Sequence, residues 1–236
     1  MVEVGWLLRP TEGDVIYGPP QRVVATRSKT LSKKAVQSCP AVNAIEARYF
    51  NITVPYDLRL RLRPVGPCKY ALHIVPSGTS LTTDNARQLV TLMNQSEWRN
   101  QESPVVQIST PYVFLADEPV WISQLPPIFG RLRNVPETII CGRFPIDIWP
   151  RQLAWAFEWH DPTQDVILLK GTAWFCVTFE TGKPEDTISM VRAKLTPELE
   201  SYQRSIRDVV GFVSGTFNLF DKARDRRPAK LLVPEV

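Results

Sequence analysis

A chain of 236 residues with 44% hydrophobic and 22% charged residues is close to ordinary globular usage, which excludes wholesale disorder. Twenty-one prolines against eleven glycines exclude an all-helical protein, because proline lacks an amide donor and ends regular elements. A formal net charge of +4 is too small to name a nucleic-acid or membrane partner by itself, and no run of about eighteen apolar residues is present to span a bilayer. The amino-terminal MVEVGWLLRP carries Glu3 and Arg9 close together, unlike a signal peptide, so a cytoplasmic protein with no membrane partner is expected. The cysteines, Cys39, Cys68, Cys141 and Cys176, show no CxxC spacing and read as free thiols.

Taken in order, Val4 to Leu8 and Val15 to Tyr17 are short apolar pieces separated by Glu12, Gly13 and Asp14, a pattern that suits a hairpin. Thr26 to Lys34 carries Arg27, Lys29, Lys33 and Lys34 among serines and threonines and reads as an exposed loop. From Phe50 to Leu62 the chain alternates strictly. Phe50, Ile52, Val54, Tyr56, Leu58, Leu60 and Leu62 share one parity, and Asn51, Thr53, Asp57, Arg59, Arg61 and Arg63 fall on the other, as in a strand with one buried face. Pro55 marks a bend or an edge within it, and Lys69 to Val75 is its expected partner. Thr82 to Gln95 changes period. Ala86, Leu89, Val90 and Met93 form one helical stripe, capped by Thr83 or Asp84.

Val105 to Ile108, Tyr112 to Leu115 and Val120 to Ile122 follow as separate short strands parted by Pro111 and Pro119. Leu125 to Pro136 then reads as a proline-punctuated loop holding Arg131 and Arg133. Residues Gln152 to Glu180 predict a meander of three strands: Leu153, Trp155, Phe157 and Trp159 alternate, Val166 to Leu169 is a short apolar run, and Phe175, Val177 and Phe179 alternate again. Trp155 and Trp159 are core residues on this reading, and His160 beside Asp161 belongs to a turn. Thr181 to Asp186 is a polar turn and Thr187 to Lys194 one more strand. A long helix begins at Thr196 as N-cap, with Pro197, Glu198 and Glu200 in its first turn. Leu199, Tyr202, Ile206, Val209, Val213, Phe217 and Phe220 carry it to about Lys222, with Gly211 and Gly215 as weak points. The division is a β-rich core over 1–194 with a helix near 84–95, a C-terminal helix over 195–222 and a basic tail over 223–236. The expected fold is mainly β, a single-domain sandwich or β-clip-like core.

Residues for chemistry are sparse. There are two histidines, His73 and His160, and no His, Cys or carboxylate group has metal-ligand spacing. GxSxG, GxxxxGK and GxGxxG are absent, and Cys176 among Trp174, Phe175 and Val177 reads as a packed thiol. Arg59, Arg61 and Arg63 stand about 7 Å apart on one strand face, a spacing that suits a phosphate backbone or polyphosphate and equally suits a solvated outer face.

Two stretches carry a resemblance. SCPAVNAIEARYFNITVPYDLRL (Ser38 to Leu60) and GRFPIDIWPRQLAWAFEWHDPTQDVILLKGTAWFCVTF (Gly142 to Phe179) resemble a family of uncharacterised tailed-phage proteins, many of them marine. The resemblance rests on Cys39-Pro40, Asp57-Leu58, Trp149-Pro150-Arg151 and the Lys170-Gly171 turn, and covers about a quarter of the chain. It implies a viral or prophage source and no mechanism. A second similarity is to the β-clip fold of deoxyuridine triphosphatases and deoxycytidine triphosphate deaminases, through Tyr56-Asp57-Leu58-Arg59, Ile146-Asp147 with Arg151, and Leu169-Lys170-Gly171. It implies Asp147 near a water or sugar hydroxyl, Asp57 near magnesium-bound phosphates, and Arg59 and Arg151 toward the triphosphate. Trp149-Pro150 stands in place of that family's aspartate-tyrosine, and its PRS and glycine-rich motifs are missing.

Two functions are therefore expected. One is a non-catalytic phage-type structural or binding protein without a cofactor, in host cytoplasm or virion, binding other phage proteins or its own copies through Phe212, Val213, Phe217 and Phe220. The alternative is a nucleotide-processing enzyme using magnesium, with Asp57 and Asp147 catalytic and Arg59, Arg61, Arg63 and Arg151 binding. Fold similarity alone does not transfer the activity.

Overall fold

The computed structural model describes residues 1–10, 15–24, 35–67, 69–128, 137–207 and 216–235. In chain order the first half holds β1 (Val2–Leu8), β2 (Gln21–Arg22), the short helix α1 (Pro40–Glu46), β3 (Tyr49–Thr53), β4 (Leu58–Gly66), β5 (Lys69–Ile74), α2 (Thr83–Leu89), β6 (Val90–Leu92) and β7 (Val105–Leu115). Then come β8 (Trp121–Leu125), β9 (Glu137–Ile139), β10 (Arg143–Pro145), β11 (Gln152–Trp159), β12 (Val166–Leu168), β13 (Ala173–Glu180) and β14 (Ile188–Arg192), followed by α3 (Pro197–Arg207) and α4 (Thr216–Asp225). The protein is mainly β, and its sheets stack as a sandwich with α3 and α4 on the outer face of the first sheet. No helix among the described residues is long and apolar enough to cross a membrane.

One sheet runs β14-β1-β7-β11-β9, with β6 also on β7; a second runs β10-β8-β13-β3-β2; a third runs β12-β4-β5. The large core lies between the first sheet and the other two. Trp6 of β1, Ile108, Tyr112 and Phe114 of β7, and Leu153, Trp155, Phe157 and Trp159 of β11 meet Phe50, Ile52, Leu58, Leu60, Phe175, Val177 and Phe179. Each such side chain removed from water contributes about 1.5–3 kcal/mol before ordering costs. The alternation read from the sequence is therefore real, but the expected meander is not. β11 pairs with β7 and β9, β12 with β4, and β13 with β3 and β8, so three consecutive strands enter three different sheets.

Pro55 breaks the Phe50 to Leu62 run into β3 of the second sheet and β4 of the third, and β5 pairs with β4 as expected. The hairpin at the start does not form: β1 lies between β14, parallel, and β7, antiparallel, while Tyr17 packs its ring against Tyr112 at 5.8 Å. The expected helix over Thr82 to Gln95 stops at Leu89. Thr82, not Thr83 or Asp84, caps it by accepting from the Asn85 amide at 3.2 Å, and Val90 to Leu92 turns into a strand on β7. Val90 and Leu92 alternate toward the same core that Ala86 and Leu89 reach, so apolar residues three and four apart served two elements. Across Pro111, β7 is continuous. The Pro111 carbonyl accepts from the Arg9 amide at 2.9 Å, so the missing proline donor falls on that same edge, just past the last β1 pair, Leu8 with Tyr112, where it costs no ladder bond.

The outer face of the first sheet carries a second core. Leu7, Val113 and Leu115 are covered by Leu199, Tyr202 and Ile206 of α3, by Leu219, Phe220 and Ala223 of α4, and by Leu231 and Leu232. The helix start at Thr196 is as expected, its hydroxyl accepting from the Leu199 amide at 3.2 Å. One continuous helix to Lys222 is not. The Tyr202 hydroxyl stands 2.9 Å from the Ala223 carbonyl oxygen, whereas twenty-one residues of straight helix span roughly 30 Å; α3 and α4 lie side by side. The basic tail is not free either. Lys194 donates to the Val233 carbonyl and Glu235 to the Arg192 carbonyl, each at 2.8 Å, so the end of the chain returns along β14 with Leu231 and Leu232 buried. Residues 26–34, 129–136 and 208–215, with the expected loops, Phe212, Val213 and both helix glycines, lie outside the described residues, as does Cys68.

Gly5 of β1 lies where sheet, β14 end and returning tail meet. A Cβ there would stand 3.2 Å from Ala193, Leu115 and Leu232, tighter than packed side chains normally come. Gly5→Val is expected to lower the unfolding free energy by about 1–3 kcal/mol, read as a lower urea midpoint, while Gly182→Val, with nothing within 4 Å, leaves it near wild type.

Candidate functional site

The arginines of β4 are brought to one face, as the parity implies, and the structure shows what they do there. Asp165, at the entry to β12, accepts from Arg59 Nε at 2.5 Å and from Arg61 Nε and Nη2 at 2.7 and 2.8 Å. The Asp165 side chain is 8% exposed. Hydrogen bonds from Arg61, and then from Arg59, hold its carboxyl below the usual aspartate range against the opposing cost of burial. Arg59 and Arg61, half-exposed, are thereby engaged by Asp165, and Arg63 is the fully exposed one of the three.

Asp57 is a turn residue. Its carboxylate accepts from the Lys170 amide at 2.9 Å, and its backbone carbonyl from the Ser80 amide at 2.9 Å. This fastens the β3–β4 crossover to the Lys170-Gly171 turn, where Gly171 has φ +80°, a conformation that suits glycine. Asp147 lies elsewhere, in the crossover from β10 to β11. Its carbonyl accepts from Arg227 Nε at 2.6 Å, and burial pushes its carboxyl up, opposed by backbone hydrogen bonds and by Arg227 and Arg224. The two aspartates share no partner among the described residues. Among the described residues no group of three or more His, Cys, Asp or Glu is placed to hold a metal ion.

The same crossover helps to build a concave region. Tyr202 donates to the Ile148 carbonyl and Gln203 Nε2 to the Pro150 carbonyl at 3.0 Å, so α3 and Arg227 satisfy three carbonyls in this short stretch. The crossover is thereby fixed, and with it Trp149 and Arg151. A cleft of about 470 Å³ opens between α3 and the β7–β11 face, lined by Arg9, Gln107, Ser109, Trp149, Arg151, Gln152 and Gln203 among others. Arg9 donates to the Gln203 side-chain oxygen. The Arg151 guanidinium lies 4.7 Å over the Trp149 ring, and burial lowers its pKa. Arg151 as a residue is nevertheless exposed. Sequence reasoning selected Arg151 and missed Arg9, Gln107 and Gln203, because no spacing links positions 9, 107, 151 and 203.

Other titratable groups are structural. Cys176 is fully buried and its thiol is pushed up to about 12 by desolvation, which makes it inert. His160 is exposed beside Asp161, whose carboxylate accepts from Thr163 and Gln164 in the expected turn. Glu158 faces outward on β11 yet is 3% exposed, because Arg99 closes over it with two bonds of 2.7 Å. Glu137 of β9 has a buried carboxylate oxygen without a hydrogen-bond partner, and desolvation pushes its pKa up to about 7. Comparison with known proteins finds no matching family model, no similar curated protein and no similar solved structure.

Two pH dependences follow. The native Glu137 keeps a proton that the unfolded chain releases in the ordinary carboxylate range, so its contribution is full at low pH and lost as pH rises through about 7. Glu137→Gln is expected to stabilise the protein at pH 8 by on the order of 1–2 kcal/mol, after allowance for partial exposure, and to flatten its stability between pH 5 and 8 in urea titrations. Asp165 has the opposite sign. Its lowered pKa gives stability that is present above the ordinary aspartate range and lost as pH falls through the lowered value. Asp165→Ala should lower the Tm by a few degrees at pH 7 and remove part of the acid sensitivity below about pH 4.

Proposed function

We propose that this chain is a non-catalytic structural or binding protein of the tailed-phage kind, acting in the host cytoplasm or in the virion. One observation carries the reading: the charges expected to do chemistry are engaged in holding the fold, Arg59 and Arg61 on Asp165 and Asp57 on the Lys170 amide. The cleft beside α3 offers cations, amides, a hydroxyl and an indole, groups that bind and orient, and its described lining residues include no carboxylate or histidine to activate Ser109. The nucleotide-processing alternative requires Asp57 and Asp147 to converge on a magnesium triphosphate, and their separate surroundings do not favour it. Self-association through α4 has no use of Phe220, whose ring is covered by Trp121 at 5.7 Å and Trp149 at 5.6 Å.

Incubation of the full chain with deoxynucleoside triphosphates and magnesium is the direct test. Phosphate and pyrophosphate release should match the protein-free control, with wild type, Asp57→Asn and Asp147→Asn alike. Metal-dependent turnover lost in either aspartate variant would replace the binding reading with the enzymatic one. Mass spectrometry of purified virions or of pull-downs from infected cells should place the chain with other phage proteins.

A further inference from the structure

Several arginines, Arg99 from an exposed position, find anionic or carbonyl partners in the fold. Arg59 and Arg61 meet Asp165, Arg99 meets Glu158, and Arg227 meets Asp117 and a set of carbonyls. Arg151 departs from this rule. Its partner among the described residues is the Trp149 face, and the cleft in front of it contains no carboxylate among its lining residues. Arg9 lines the same cleft and donates through one terminal nitrogen to Gln203. Two arginines thus line one cleft whose described lining residues supply no carboxylate, an arrangement that an incoming anion relieves.

The surroundings narrow the ligand. Two separate guanidinium groups bring two positive charges and donors from two directions, which matches a tetrahedral dianion better than a planar monoanion. Trp149 has no face left for stacking: Arg151 covers it, while Phe144 and Phe220 pack against it at 5.5 and 5.6 Å, and it is 9% exposed. Recognition by base stacking is excluded on this indole, and the remaining volume is lined by Gln107, Ser109 and Gln152, groups suited to hydroxyls. We propose that the cleft binds the phosphate group of a small, non-aromatic molecule, with Arg9 and Arg151 clamping the phosphate and the amides meeting the polar remainder. The inference rests on the binding reading above and names its ligand class.

The test uses the full chain with inorganic phosphate, ribose 5-phosphate and acetate at matched ionic strength, read by thermal melting and by phosphorus-31 line broadening below the melting range. Both phosphate compounds should raise the Tm by several degrees at saturation, with acetate weaker. Arg9→Gln and Arg151→Gln should each weaken phosphate binding by about tenfold or more, and Arg87→Gln, on exposed α2, should leave it unchanged. Tighter binding of ribose 5-phosphate identifies a phosphorylated metabolite as the source, and tighter binding of inorganic phosphate identifies the free ion. Absence of binding at millimolar phosphate, equal affinity in wild type and both cleft variants, or a preference for acetate would overturn the proposal while leaving the non-catalytic reading intact. Hydrolysis of the bound monoester would instead overturn that reading.

Discussion

The first sheet is buried on both faces, and most of the architecture follows from that constraint. Along β7, Tyr112 and Phe114 point into the large core while Val113 and Leu115 point into the second one. A strand apolar on both sides must be covered on both sides. The second and third sheets cover one face; α3, α4 and the returning tail cover the other. The helical end of the chain is therefore the outer layer of a three-layer body, and the close approach at Gly5 shows how tightly that layer sits. Charge in the tail is consistent with this role, since Arg227 uses its guanidinium to bond the Asp147 and Asp117 carbonyls, while Leu231 and Leu232 do the packing.

Local periodicity made the strands legible, because a period of two survives whichever partner a strand takes. Pairing was not legible for the same reason. Nothing in Trp155, Ile167 or Phe175 states that their strands belong to three different sheets; that depends on distant residues such as Ile108, Arg59 and Ile52, which lie opposite them. The overlong helix at Thr82 to Gln95 has a related origin. Val90 satisfies a helical stripe and a strand alternation equally well, and its place opposite Ile108 of β7 decides between them. Pro111 misled in the other direction. Proline demotes a strand interior only where its missing donor would face a partner, and here the β1 pairing ends just before it.

For the candidate site, residue chemistry was legible and residue use was not. The parity of Arg59 and Arg61 correctly put them together on an outer face. Asp165, more than a hundred positions later, decides that they act as a structural clamp. Arg151 was selected for its neighbours in sequence, yet what distinguishes it is that no described residue lining its cleft is a carboxylate, a fact that only the packing reveals. Glu137 and Glu158 make the same point as a pair. Both are acidic residues on neighbouring strands of the first sheet; burial raises the pKa of Glu137, while the Arg99 hydrogen bonds lower that of Glu158.

The cleft sits where it does because the outer face of the first sheet changes character along its width. On the β1 and neighbouring β7 side that face offers Leu7, Val113 and Leu115, and removing them from water drives the helices onto it. Toward the first half of β7 and β11 it offers Gln107, Ser109, Gln152 and Ala154, which give a helix little apolar area to cover. The boundary between the two regions must then be a step, with the side of α3 as its wall and polar sheet as its floor. Long cationic side chains suit such a step, since their stems lie along apolar surface while their heads stay near polar groups or water. Arg9 leaves the end of β1 at the step, and Arg151 enters β11 there over Trp149. Their placement in one cleft is thus a consequence of where the apolar pattern of the sheet stops, whereas Arg59 and Arg61 are paired with Asp165 and Arg99 with Glu158.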